Sequence, residues 1–104
     1  MIRPEIVKNI SIIVREQVPD ARIILYGSEA RGDSHPNSDI DVLILLNQDK
    51  ITLEEEERIT LPIYKLELQT GVLISPKIQT RKSWENPRIR TPFYVNVMNQ
   101  GIEL

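Results

Sequence analysis

Ile23-Ile24-Leu25-Tyr26-Gly27-Ser28-Glu29-Ala30-Arg31-Gly32-Asp33 and, shortly after, Ser38-Asp39-Ile40-Asp41-Val42-Leu43-Ile44 decide how this chain is read. The first apolar run, with Ala21 and Arg22 before it, predicts a strand over 21–26. It stops abruptly at Gly27-Ser28. A polar segment with turn chemistry follows, in Gly32-Asp33-Ser34 and His35-Pro36-Asn37-Ser38. A short helical turn fits residues 28–31. The second apolar run predicts a strand over 39–46, yet it opens with two aspartates one residue apart. Acid groups in a segment of that kind are costly unless something cationic compensates them. That misfit is the strongest functional signal in the sequence.

Outward from this centre, helix and strand patterns alternate. Val7, Ile10, Val14 and Val18 recur at helical spacing and predict a helix over 4–18, with Pro4 suited to its first turn. Residues 52–69 predict a second helix. Thr52 is its cap, Glu54 to Glu57 complement the dipole, and Ile59, Ile63 and Leu66 line one face. Pro62 is expected to kink or split it. Gly71 suits a helix end. Val72-Leu73-Ile74-Ser75 predicts a third strand closed by Pro76. Thr91-Pro92 opens a last helix whose apolar stripe is Phe93, Tyr94, Val97 and Met98. Gly101 ends it, leaving Ile102-Glu103-Leu104 for a short edge strand. The class is α/β (α+β): a small mixed sheet with helices packed mainly on one face.

A chain of 104 residues is expected to form one domain over 1–104. A net charge of −2 argues against a nucleic-acid partner, although it leaves room for a local basic patch. Without cysteine, neither a disulfide nor a thiolate metal site is possible, and any metal must take oxygen ligands or the single His. The N-terminus lacks a signal-peptide core, and no apolar run reaches the roughly 18 residues of a membrane span. A cytoplasmic protein with no membrane contact is the expectation.

On a strand, alternate side chains share a face, so Asp39 and Asp41 project together, about 7 Å apart along the strand. Two carboxylates so placed suit a hard divalent cation, Mg²⁺ or Mn²⁺, which usually also binds substrate phosphates. Gly27-Ser28 supplies the other half. A glycine ending a strand permits close backbone approach, and the Ser28 hydroxyl with neighbouring amides can bind phosphate oxygens. Arg31 either adds charge against a triphosphate or pairs with Asp33 or the acid pair. A phosphate-binding turn beside a metal-binding acid pair suits nucleotidyl transfer: attack on the α-phosphate of a nucleoside triphosphate, with pyrophosphate leaving.

The string from Gly27 to Val42 resembles the signature of the DNA polymerase β-type nucleotidyltransferase superfamily, most of all its minimal bacterial and archaeal domains. The resemblance implies the nucleotidyltransferase fold. It implies that Gly27 and Ser28 bind the triphosphate and that Asp39 and Asp41 are the catalytic metal ligands; Arg31 and Ser38 join the nucleotide-contacting set. It also implies transfer of a nucleotide, typically AMP, to a hydroxyl, and a HEPN-domain protein partner in a toxin–antitoxin pair. One departure stands out. Active members carry a third carboxylate on a later strand, and Gly71-Val72-Leu73-Ile74-Ser75 has none. Glu67 and Glu85 flank that strand without matching the pattern. Two readings therefore stay open: an enzyme whose base comes from elsewhere, and a degenerate nucleotide- or partner-binding module that acts by occlusion.

The remaining features have plainer readings. Lys77, Arg81, Lys82, Arg88 and Arg90 face only Glu85 across 77–90 and read as a solvated surface with a role in partner contact. Trp84 reads as packing. His35 reads as an exposed turn residue.

Overall fold

The computed structural model describes residues 1–104. The elements run α1 (Pro4–Gln17), β1 (Arg22–Tyr26), α2 (Gly27–Arg31), β2 (Ile40–Leu46), α3 (Leu53–Thr70), β3 (Ile74–Thr80), α4 (Arg81–Glu85), α5 (Pro92–Gln100) and β4 (Ile102–Glu103). The strands form a mixed sheet in the order β3-β2-β1-β4. β2 and β3 are parallel; β1 is antiparallel to both β2 and β4.

β2 lies inside the sheet and is covered on both faces, which is why its sequence is apolar without alternation. Ile40, Val42, Ile44 and Leu46 point to one face and pack with Ile23 and Leu25 of β1 under the two long helices. Val7, Ile10 and Val14 of α1 and Ile59, Ile63 and Leu66 of α3 supply the helical side of that core. Their spacing of three and four residues keeps each set on one helix face. Leu43, Leu45 and Ile24 point the other way, where Trp84 of α4 and Val97 of α5 cover them, with Tyr26, Phe93 and Tyr94 alongside. The long helices thus sit on one face, as expected, and a smaller aromatic cover closes part of the other.

Threonine caps start three helices as side-chain chemistry dictates: Thr52, Thr80 and Thr91 accept from the amides of Glu55, Ser83 and Tyr94. Gly101 ends α5 because its Cα lies against β1; a Cβ there would stand 2.7 Å from Ile24 Cγ2.

Three expectations are corrected. Pro62 does not split α3, which runs unbroken from Leu53 to Thr70. An interior proline costs about 3 kcal/mol, whereas each of the buried Ile59, Ile63 and Leu66 contributes about 1.5–3 kcal/mol by leaving water; packing wins. The third strand is Ile74–Thr80, not 72–75, and Pro76 lies within it. Ile40 donates its amide to the Leu73 carbonyl, so by alternation Ser75 and Lys77 turn their backbone groups toward β2 while Ile74 and Pro76 turn theirs outward. The proline's missing N–H falls on the open edge, where no ladder bond is lost. Met98 is exposed rather than part of the α5 core stripe.

Candidate active site

The ends of β1 and β2 meet at the register pair Tyr26 and Asp41. Immediately after Tyr26 the chain turns at Gly27, whose φ of +73° lies in the left-handed region. A Cβ at Gly27 would stand 2.5 Å from Asp41 Oδ2, so the carboxylate occupies the space a side chain would need. Glycine is required twice over, by conformation and by contact. This contact joins the Gly27-Ser28 turn to the acid pair. Ser28 follows in the first turn of α2, half-buried.

Asp41 is half-buried on the sheet face shared with Tyr26, whereas Asp39 is exposed and lies one residue before β2, which begins at Ile40 rather than at the expected 39. Burial raises the Asp41 carboxyl above the usual carboxylate range, and the charge of Asp39 raises it further; Lys77 and Arg31 pull in the opposite direction. The Tyr26 phenol is pushed up to about 12 by burial, with Asp41 adding to it. The register that pairs Asp41 with Ser75 and Leu43 with Lys77 puts Ser75 and Lys77 on the same face as Asp41. That portion of β3 carries a cation and no carboxylate. Lys77 Nζ lies 4.1 Å from the Phe93 ring centroid, a cation–π contact that holds the ammonium over this face. Neither flanking glutamate is free to act: Glu67 accepts from the outward amide of Ile74 at 2.8 Å, and Glu85 bonds Arg22 and Arg81.

The loop between α2 and β2 shapes the approach. Ser38 Oγ accepts from the His35 amide at 3.1 Å and closes a turn just before Asp39. Arg31 Nε donates to Asp33 Oδ2 at 3.2 Å, the surface pairing anticipated as one of its two roles, and Arg31 also contributes to the field at Asp41. His35 is exposed. Trp84 is buried as packing, 4 % exposed.

Sequence reasoning passed over Glu29. It is fully buried at 0 % exposure in α2, between Ser28 and Arg31. Oε2 accepts from the amides of Ile2 and Arg3 at 2.6 and 2.7 Å; Oε1 accepts from Arg3 Nε at 2.8 Å and Ser34 Oγ at 3.1 Å. Burial pushes its carboxyl up, but these bonds outweigh burial and hold it below the usual range. The charge ties the N-terminus to the helix that carries Ser28. A lone Glu in a polar stretch gives no sequence signal of burial; apart from Ser34, its partners Ile2 and Arg3 lie more than 25 positions away.

The largest recess, about 530 Å³, lies at the other end of β1, among Arg15, Asp20, Arg22, Arg81 and Glu103. Its arginine Arg22 is taken up by Glu85 and Glu103, and neither the glycine turn nor the acid pair reaches it. The glycine turn and the acid pair singled out in the sequence lie together at the Gly27–Asp41 end instead.

A mixed sheet with a glycine–serine turn against a paired aspartate is the arrangement of a nucleotidyl-transferring enzyme. The chain belongs to the nucleotidyltransferase domain family, whose model matches residues 7–95, and it is a nucleotidyltransferase. Two relatives from Methanocaldococcus jannaschii bear the names "Putative protein adenylyltransferase MJ0141" and "Putative protein adenylyltransferase MJ0604". The first is 38% identical over 96% of this chain and 92% of its own length; the second is 35% identical over 77% and 73%. No solved structure matches the chain significantly.

Gly27→Ala tests the contact between turn and acid. The new methyl group must displace the Asp41 carboxylate or distort a left-handed turn, and misplacing a reacting group by about 1 Å can cost about a hundredfold in rate. The expected result is a loss of that order in transfer rate, with the melting temperature lowered by the strain. Initial rates and a thermal melt check it; unchanged rates would mean that the contact does not matter to the reaction.

Proposed function

We propose that this nucleotidyltransferase moves AMP from ATP to a hydroxyl of a partner protein. The observation that carries the reading is the Asp41 carboxylate seated against the Gly27 Cα, which makes the glycine–serine turn and the acid pair one site. The names of the two archaeal relatives support a protein as acceptor and AMP as the group moved. The partner class the sequence resemblance implies is a HEPN-domain toxin whose antitoxin this chain is.

In this reading Gly27 and Ser28 bind the triphosphate, with Ser38 and Arg31 at its margin. Asp39 and Asp41 hold Mg²⁺ or Mn²⁺. The donor set fits such an ion: it is carboxylate oxygen only, and burial together with the Asp39 charge holds the Asp41 carboxyl above its usual range, a cost a cation would offset. The bound cation supplies positive charge against the phosphates. The acceptor oxygen attacks the α-phosphorus, the bond to the bridging oxygen breaks, and pyrophosphate leaves. The acceptor's proton passes to Asp41 or to a base brought by the partner, because β3 offers Ser75 and Lys77 beside Asp41 rather than an acid.

Labelling tests this. α-Labelled ATP with Mg²⁺ is expected to mark the partner protein, and chelation of the metal or Asp39→Ala with Asp41→Ala to remove the label. Label that survives the double change would sink the assignment. Absence of label with partner affinity intact would leave occlusion as the activity.

A further inference from the structure

A second recess, about 200 Å³, opens between α2 and α5 beside the Gly27 turn. Tyr26, Gly27 and Arg31 line one side; Phe93, Asn96 and Gln100 line the other. The last three recur at helical spacing, so α5 turns one stripe toward this opening while Val97, on the same stripe, packs beneath. Gly101 fixes the stripe by letting the end of α5 close against β1.

We infer that this recess takes the base of the nucleotide, with Asn96 and Gln100 reading a purine edge. The inference rests on the nucleotidyl-transfer reading and adds the residues that choose the nucleotide. Size is the first argument. Pockets that enclose a whole drug-sized ligand run to about 300–1,000 Å³, so a recess of this volume takes one moiety and leaves the triphosphate outside, over Gly27-Ser28.

Lining chemistry is the second argument. Phosphate seeks cations and amide donors, and the one cation here, Arg31, is engaged by Asp33. A base seeks apolar walls and edge partners. Tyr26 and Phe93, whose rings meet edge to face at 5.3 Å between centroids, give the walls. Each carboxamide offers a donor and an acceptor together. Side-chain hydrogen bonding on α5 is confined to its cap, where Thr91 accepts from the Tyr94 amide, so both carboxamides are available. Asn or Gln pairing with the adjoining acceptor and amino group of adenine is the geometry such a group matches best.

Equilibrium binding of ATP, CTP and tripolyphosphate, each with Mg²⁺, tests the assignment on the intact chain. The unaltered protein is expected to bind ATP more tightly than CTP. Asn96→Ala with Gln100→Ala should weaken ATP about tenfold or more while leaving tripolyphosphate affinity unchanged. Both residues are exposed, and a thermal melt verifies folding. Asn96→Leu and Gln100→Met, which keep size without charge but remove the paired donor and acceptor, should weaken ATP in the same way. Unchanged ATP affinity in these variants would overturn the base site. A parallel loss of tripolyphosphate would overturn it too, by showing that the recess holds phosphate. If the unaltered protein binds tripolyphosphate and every nucleotide equally, only the base assignment fails. If it binds none of them, the nucleotidyl-transfer reading fails with it.

Discussion

Asp41→Asn is expected to melt at a higher temperature than the unaltered protein and to transfer nucleotide about a thousandfold more slowly. The two effects have one origin. The Asp41 carboxyl is raised by burial and by Asp39, so its ionised form is disfavoured in the folded chain relative to the unfolded one. A group raised in this way loses stability for the fold as pH climbs from the ordinary carboxylate range through its folded value. At neutral pH the ionised side chain therefore works against folding, and asparagine removes the charge at nearly constant shape. Each kcal/mol relieved raises the melting temperature of a domain this size by about 4–8 °C. The gain should shrink as pH falls below the ordinary carboxylate range, where Asp41 is neutral in both states. The same substitution removes a proposed metal ligand, and losing several kcal/mol of charge stabilisation in the transition state amounts to about three decades in rate. Melting curves at neutral and acid pH and label incorporation check both halves. A lower melting temperature at neutral pH would show that the charge is compensated after all. A strained charge retained at the proposed catalytic position would be a common trade of stability for activity.

Much of this site was legible because its residues are close in sequence and break local rules. Two acids at the mouth of an apolar strand, after a strand cut short by glycine and serine, conflict with packing alone, and the conflict marks the candidate site. The central sheet was legible for a related reason: β2 is apolar on both faces and its helices have clear periods. The start of β3 was misplaced because Pro76 reads locally as a stop. Only the parallel pairing with β2 shows that its nitrogen lies on the open edge. That register also reveals Lys77 beside the acids, a position strand propensity cannot assign. Glu29 and Asn96 drew no notice in the sequence because what surrounds them comes from chain segments far away in sequence. A buried glutamate looks like any other until the N-terminus folds over it, and an exposed asparagine until α5 docks beside Gly27.

Glu29→Gln is expected to cause the largest loss of stability of any single polar substitution in this chain. The ionised carboxylate accepts four hydrogen bonds, two from backbone amides that have no other partner and one from the Arg3 guanidinium. Glutamine offers one acceptor oxygen and a donor group that meets other donors. Removing one member of a buried ion pair typically costs about 3–5 kcal/mol, against a total of about 5–15 kcal/mol for a domain. At about 4–8 °C per kcal/mol, the melting temperature should fall by about 12 °C or more. The pH dependence has the opposite sign to that of Asp41. The hydrogen bonds hold the Glu29 carboxyl below its ordinary value despite burial, so its stabilisation is complete above the unfolded value and is lost as pH falls through the folded one. The difference between the two proteins should therefore narrow in acid. Arg3→Met separates charge from contact. The Arg3 terminal nitrogens are buried without partners, so removing them relieves one penalty while the backbone amides keep the carboxylate bonded. Its loss should stay near about 1.5–3 kcal/mol, the worth of one hydrogen bond to a charged group. Because α2 carries both Glu29 and Ser28, Glu29→Gln should also weaken nucleotide binding at temperatures well below its melt, where Arg3→Met does not. Melting curves across pH and nucleotide titration in the cold measure the two effects separately. Equal losses in both variants would show that Glu29 acts through Arg3 alone and not by tying the N-terminal backbone to the phosphate-binding turn.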